Sequence, residues 1–120
     1  MKILVVEDDA EVRDCYVAFF RSYFFDVDAA ANGEEGIRLY RENPQAIGLI
    51  LTDGEMPAGD GAWLAREVRA TPGGESVTIL LISGNPEKYS KSNDAALFTE
   101  IAGKPMSGRD FWRLLERYLM

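Results

Sequence analysis

Three short apolar runs set the terms on which this chain can fold. Residues 3–6, 47–51 and 77–82 are almost unbroken stretches of Ile, Leu and Val. A strand with one face in water alternates apolar and polar residues. An unbroken run suits a strand buried on both faces. Weaker runs lie at 26–29 and 99–102. Between the runs the apolar spacing changes to three and four residues. Val12, Cys15, Tyr16, Phe19 and Tyr23 form one face of a first helix. Residues 33–40 form a second helix, ended by Asn43-Pro44, and 62–70 a third, ended by Pro72-Gly73-Gly74. Residues 86–97 form a fourth, with Pro86 in its first turn. Residues 107–119 form a fifth, with Ser107 as N-cap and Phe111, Leu115 and Tyr118 facing inward. Five strands alternating with five helices predict an α/β fold with a parallel sheet. Right-handed crossovers then limit its topology. No repeat, low-complexity segment or linker divides residues 1–120, which read as a single domain.

Composition narrows the function. The chain has 120 residues, enough to bury a real core. Its formal net charge is -7 and it carries no basic stripe, which argues against direct nucleic-acid binding. Arg109, Arg113 and Arg117 share the fifth helix with Asp110 and Glu116 and read as a solvated face. Cys15 is the only cysteine, which leaves no intrachain disulfide and no cysteine metal cluster. It is expected to be a small core residue. The chain has no histidine, which removes a His-based triad, a phosphohistidine and every His-containing zinc site. No apolar run reaches membrane-spanning length, so the expectation is a cytoplasmic protein without a membrane partner.

The polar residues that matter stand where the strands end. Open parallel sheets bind ligands outside the carboxyl ends of the strands, where the strand order reverses. In a flavodoxin-like, doubly wound order, 2-1-3-4-5, that point lies between strands 1 and 3. Glu7, Asp8 and Asp9 follow strand 1. Asp53 follows strand 3, Ser83 and Gly84 follow strand 4, and Lys104-Pro105 follows strand 5. Carboxylates clustered at strand ends are costly unless a cation or proton relieves them. Asp53 alone is a turn or capping aspartate. With its neighbours it is a candidate nucleophile that forms an acyl phosphate. Glu7 and Asp8 supply the one or two carboxylates that Mg2+ usually takes from protein. Asp9, nearest the first helix, suits a cap. The Ser83 hydroxyl can bond a phosphoryl oxygen or cap a helix. The Lys104 ammonium offers a compact charge to a phosphoryl group.

In that order, acid pair, acid, hydroxyl and Lys-Pro, the chain resembles a response-regulator receiver domain of two-component signalling. The resemblance is carried by Leu4-Val5-Val6-Glu7-Asp8-Asp9, by Leu49-Ile50-Leu51-Thr52-Asp53 with Met56-Pro57 and Asp60-Gly61, by Ile79-Leu80-Leu81-Ile82-Ser83-Gly84, and by Gly103-Lys104-Pro105. It implies that Asp53 is the phosphoacceptor. It implies that Glu7, Asp8, Asp53 and the backbone carbonyl of Glu55 bind Mg2+, and that Ser83 and Lys104 contact the phosphoryl group. The implied donor is a phosphohistidine on a histidine kinase or phosphotransfer domain. Such a domain phosphorylates and dephosphorylates itself without turning over a separate substrate. The expectation is a single receiver domain with no output domain after the fifth helix. The implied output surface, to a partner domain or in a homodimer, is the face of helix 4, strand 5 and helix 5.

Some positions depart from the family pattern. Three residues before the Lys-Pro lysine the family often has Tyr or Phe as a rotamer switch, and this chain has Ile101. Any switch is expected in the loops, or through Phe98. Glu55 and Asn85 flank the path of the hydrolytic water and are expected to modulate acyl-phosphate lifetime. Trp63 lies about 100° off the inner face of helix 3, which is Ala62, Leu64, Ala65 and Val68. It reads as packed under a loop or as a partner contact. Trp112 is expected to pack against helix 4. The alternatives are a small aspartyl-nucleophile phosphatase, which would want its nucleophile on the first strand, and a phosphorylation-independent pseudo-receiver.

Overall fold

The computed structural model describes residues 1–119. The strands are β1 (Lys2–Val6), β2 (Asp26–Ala30), β3 (Ile47–Asp53), β4 (Thr78–Ser83) and β5 (Glu100–Gly103). They form one parallel sheet in the order β2-β1-β3-β4-β5, the flavodoxin-like order expected. The helices are α1 (Ala10–Ser22), α2 (Gly33–Glu42), α3 (Gly61–Ala70), α4 (Pro86–Ser90) and α5 (Gly108–Leu119). Among the described residues no helix is long and apolar enough to cross a membrane.

The unbroken runs are explained by the two cores they serve. Successive strand residues point to opposite faces. Ile3 and Val5 therefore join Leu49, Leu51, Leu80 and Ile82 against α1 and α5. Leu4 and Val6 join Ile50, Ile79 and Leu81 against α2, α3 and α4. Each fully buried aliphatic side chain contributes about 1.5–3 kcal/mol relative to exposure. Both faces of the central strands are thus committed, and neither can be turned to water.

The helix ends follow from their side chains. Asp9 caps α1, accepting from the N–H groups of Glu11 and Val12 at 2.9 and 3.2 Å. Asn32 caps α2 and Asp60 caps α3, each at 2.8 Å. Ser107 accepts from the Asp110 N–H at 3.1 Å, the expected start of α5. The β3–α3 loop also serves α2, whose first N–H groups, on Gly33 and Glu34, bond the carbonyls of Gly59 and Ala58. That bond pattern holds Ala58 at φ 51° and Gly59 at φ 96°.

Four expectations are corrected. The fourth helix ends at Ser90, not at residue 97, and a single 3-10 turn follows at Ala95–Leu97. Ser92 accounts for the break. Its hydroxyl donates to the Tyr89 carbonyl at 2.7 Å and accepts from the Asp94 N–H at 3.1 Å, so side-chain bonds replace helical ones. Cys15 is exposed rather than a core residue. The inner face of α1 is rotated from the expected one, with Phe20 fully buried, Tyr16 and Val17 beside it, and Tyr23 exposed. Trp112 packs on α1, not on α4. It stacks on Tyr23 with ring centroids 5.1 Å apart and tilts against Phe19 at 6.1 Å. Trp63, by contrast, is half-buried and lies against the loop backbone at Gly59, as a residue under a loop should.

Arg69 compensates for the shortness of α4. Its guanidinium donates to the carbonyls of Gly74 (2.8 Å), Val77 (2.6 Å) and Leu97 (2.8 and 3.0 Å). One side chain of α3 thus ties down both the turn before β4 and the segment before β5. Arg69→Ala strands these carbonyls and should cost about 2 kcal/mol in urea unfolding. Faster amide exchange across residues 95–99 should accompany it.

Candidate functional site

The expected side chains meet at the carboxyl ends of β1, β3, β4 and β5. β3 lies between β1 and β4, and Val6 pairs in register with Thr52. Glu7 and Asp53, each one step further along, are therefore brought together. One carboxylate oxygen from each of Glu7, Asp8 and Asp53 lies within 4.8 Å of the others. Glu7 is 1% and Asp53 9% exposed, whereas Asp8 faces solvent.

Each buried acid is held by specific donors. Asp53 Oδ1 accepts from the Gly54 N–H at 2.8 Å and pairs with Lys104 Nζ at 3.2 Å. Both contacts fall on Oδ1, and the Glu7 carboxyl lies within hydrogen-bonding reach of Asp53. Glu7 Oε1 accepts from Lys104 Nζ at 2.9 Å, and Glu7 Oε2 from the Asp9 N–H at 3.1 Å. The Glu7 carbonyl accepts from Arg13 at 2.9 Å, which fastens the β1–α1 turn. Lys104 follows β5. Its own N–H donates to the Ser83 carbonyl at 2.8 Å, and the Lys104–Pro105 peptide is cis.

Burial and pairing pull these groups in opposite directions. Burial raises the pKa of Asp53 above the usual carboxylate range, and Lys104 only partly offsets it. Burial raises Glu7 as well, again opposed by Lys104. Burial also works against the Lys104 charge, but two carboxylates overcome it and its pKa is raised. The ammonium therefore stays charged between two acids that would each bind a proton more readily than in water.

Ser83 is placed differently from either simple reading. It is fully buried at the end of β4, and the N-cap of α4 is Asn85. The Ser83 hydroxyl donates to the Glu55 carboxylate, 2.9 Å from Oε2 and 3.2 Å from Oε1, and accepts from the Asn85 N–H at 2.9 Å. Glu55 and Asn85, singled out for their distance from Asp53 and Ser83 in sequence, thus both bond Ser83. Gly84 is exposed, with open space where a side chain would stand. Ile101 is half-buried on β5, opposite Leu81, and packs into the α2–α3–α4 core with Phe98.

Sequence reasoning missed Tyr89. It sits on α4, 2% exposed, with its ring edge-to-face on Phe98 at 6.1 Å. The ring reaches the backbone next to Asp53. A Cβ on Gly54 would lie 2.7 Å from Tyr89 Cε2 and 2.8 Å from its hydroxyl oxygen. Burial, reinforced by the charges of Glu55 and Asp60, raises the hydroxyl pKa well above the ordinary tyrosine range. The available signals were Gly54 directly after Asp53 and an aromatic residue in the first turn after Pro86. They become legible together only once α4 is seen to lie over the β3 loop.

The donor set suits a hard divalent cation. All three clustered ligands are carboxylate oxygens, and one ammonium does not balance them.

Comparison with known proteins gives concordant results. The family model for the response regulator receiver domain matches residues 3–112. The response regulator receiver protein CpdR of Brucella abortus is 31% identical over 125 residues, covering 99% of this chain and 97% of that one. A gliding motility regulatory protein of Myxococcus xanthus is 31% identical over 97 residues, and there the chain spans only 12% of the relative. Among solved structures, the receiver domain of the sensor histidine kinase PA1611 from Pseudomonas aeruginosa superposes with a TM-score of 0.84 at 28% identity. The match covers 98% of this chain and 95% of that one, whose structure has a magnesium ion coordinated in the active site cleft.

The raised carboxyl pKa values make a stability prediction. A raised folded-state pKa means the fold favours the protonated acid. The resulting destabilisation is absent below the unfolded pKa and complete above the folded one. Asp53→Asn removes one of these charges and leaves Lys104 paired with Glu7. Without divalent cations it should raise Tm at neutral pH by about 4 °C, roughly 1 kcal/mol in a domain of this size. The gain should shrink in acid, where Asp53 of the natural protein is protonated; thermal melts across pH check it.

Proposed function

Because the chain belongs to the response regulator receiver domain family, we propose that it is a phosphoacceptor switch of two-component signalling. Asp53 takes a phosphoryl group from a phosphohistidine on a histidine kinase or phosphotransfer domain. The observation that carries this reading is the asymmetry of the Asp53 carboxylate. Oδ1 is held by the Gly54 N–H and Lys104, which leaves Oδ2 the less restrained oxygen. Oδ2 forms a P–O bond as the donor's P–N bond breaks, and the electron pair leaves on the imidazole. Phosphoryl transfer needs mainly alignment and charge neutralisation, and the site is built for both.

The other residues have roles around that oxygen. Lys104 is already charged and 3.2 Å from Asp53, so it can neutralise a phosphoryl oxygen without reorganising. Ser83 would donate its hydroxyl proton to the phosphoryl group. Glu7, Asp8, Asp53 and the Glu55 backbone carbonyl would hold Mg2+, which when bound supplies positive charge to the phosphoryl oxygens. The all-oxygen cluster supports this assignment, as does the magnesium in the PA1611 receiver. In this reading the domain turns over no separate substrate and binds no nucleic acid directly. Its state is read by an output domain or a second copy through the α4–β5–α5 face. A cytoplasmic setting goes with this reading.

Incubation with Mg2+ and acetyl phosphate, followed by intact mass, tests the reading. We expect a gain of one phosphoryl group, stable in acid and labile to base and hydroxylamine. It should be absent in Asp53→Asn and suppressed by a chelator, and Lys104→Ala should slow its formation about a hundredfold. No adduct with sustained phosphomonoester turnover would indicate an aspartyl-nucleophile phosphatase. No adduct and no turnover would indicate a phosphorylation-independent adaptor. Protons also compete with the metal for Glu7 and Asp53, whose carboxyl pKa values are raised. Mg2+ affinity in calorimetric titrations should therefore fall as pH drops from neutrality toward about 5.

A further inference from the structure

Tyr89 carries a buried hydroxyl that the site as described leaves unused. Its oxygen makes no hydrogen bond of good geometry among the described residues, although Tyr89 is 2% exposed and the Glu55 carboxylate lies beside it. Buried hydroxyls are seldom left unpaired, so each such group calls for a reason. This one is seated against Gly54, which has no side chain to exclude it, and beside the loop that bears Glu55.

The missing partner follows from counting hydrogens. Ser83 has a single hydroxyl hydrogen, and it is committed to the Glu55 carboxylate. Ser83 cannot donate to a phosphoryl oxygen on Asp53 while it holds Glu55. When it turns to the phosphoryl group, the Glu55 carboxylate loses that donor, next to new negative charge. Tyr89 is then a buried donor without an acceptor, beside an exposed carboxylate that has lost its protein donor.

Resting on the phosphoacceptor reading, we propose that Tyr89 is a positioning residue. Its hydroxyl takes over the Glu55 carboxylate when Ser83 turns to phospho-Asp53, which draws Glu55 away from the acyl phosphate and ties α4 to the state of Asp53. Tyr89 touches no reacting atom in this scheme. It acts through Glu55, which left unrestrained would repel the phosphoryl group or accept a proton from attacking water. Both effects shorten the life of the acyl phosphate.

The test uses the whole chain, phosphorylated with acetyl phosphate and Mg2+, with decay followed by intact mass. Tyr89→Phe should shorten the acyl-phosphate half-life about three- to tenfold, the weight of one neutral hydrogen bond. In a Glu55→Ala background, Tyr and Phe at position 89 should give the same half-life. An unchanged half-life in Tyr89→Phe overturns the proposal, as does equal shortening with and without the Glu55 carboxylate, which would mark a packing effect. A spectroscopic measurement stands independently of how well Tyr89→Phe folds. With tyrosine labelled at Cζ, the Tyr89 carbon resonance should move when Mg2+ and beryllofluoride, a phosphoryl mimic, are added to the natural protein. It should stay in place in Glu55→Ala. An unmoved resonance on a protein that does gain a phosphoryl group overturns the role of Tyr89 alone. A natural protein that gains none overturns the phosphoacceptor reading beneath it.

Discussion

The ammonium of Lys104 makes the rest of the site possible. Glu7 and Asp53 are delivered by adjacent strands to the edge of an apolar core, where a carboxylate loses most of its hydration. Two such charges side by side would favour protonation and loss of nucleophilicity. Lys104 reaches across from β5, at the far edge of the sheet, and bonds both. Its backbone is fixed to β4 through the Ser83 carbonyl. A flexible four-carbon stem with a compact charge suits this span better than a planar guanidinium would. Strand order thus becomes chemistry: moving β5 elsewhere would leave the two acids without their cation.

The two cores differ in how they support this edge. On the α1–α5 side the packing is dense and aromatic. Tyr16 stacks on Phe111 at 5.0 Å, Phe19 meets Phe111 edge-on, and Tyr23 stacks on Trp112. On the other side, α4 is five residues long and continues into turns. A helix that short has little stability of its own, and its place depends on tertiary contacts. Those contacts are Tyr89 in the core, Phe98 beneath it, and the Arg69 clamp on Leu97. The shortest of the five α-helices is therefore the one lying over the β3 loop.

This division also explains what the sequence revealed and what it hid. The double-sided burial of Ile3–Val6 and its partners writes itself as an unbroken apolar run, so the three central strands and the parallel sheet could be read directly, while the strand order came with the flavodoxin-like fold. Acids placed at strand ends were legible for the same reason, because a strand end is a position along the chain as well as in space. The inner face of α1 was not. Cys15 has the right spacing but is exposed, and Tyr23 meets α5 only at a half-exposed edge, through Trp112. The end of α4 was hidden because Ala95-Ala96-Leu97 has helical character, while the decisive bonds belong to one serine hydroxyl. Ser83 with Glu55, and Tyr89 with Gly54, are meetings of separate loops and helices that no local period encodes.

The aromatic ring beside the site comes from α4 and not from β5. At position 101 an isoleucine packs into the core, where the family often carries an aromatic ring able to swing with its hydroxyl partner. An aliphatic side chain has no hydroxyl to exchange and no large rotameric displacement to pass on. The space over Gly54 is filled instead by Tyr89, whose ring is attached to a helix of five residues. A ring on β5 can move only within its own cavity, because the strand that bears it is bonded to β4. A ring on α4 carries its backbone with it, since Lys91 and Ser92 bond back to Glu87 and Tyr89 and the helix ends there. Any change in what the Tyr89 hydroxyl bonds is therefore felt first along α4, on the surface that also presents β5.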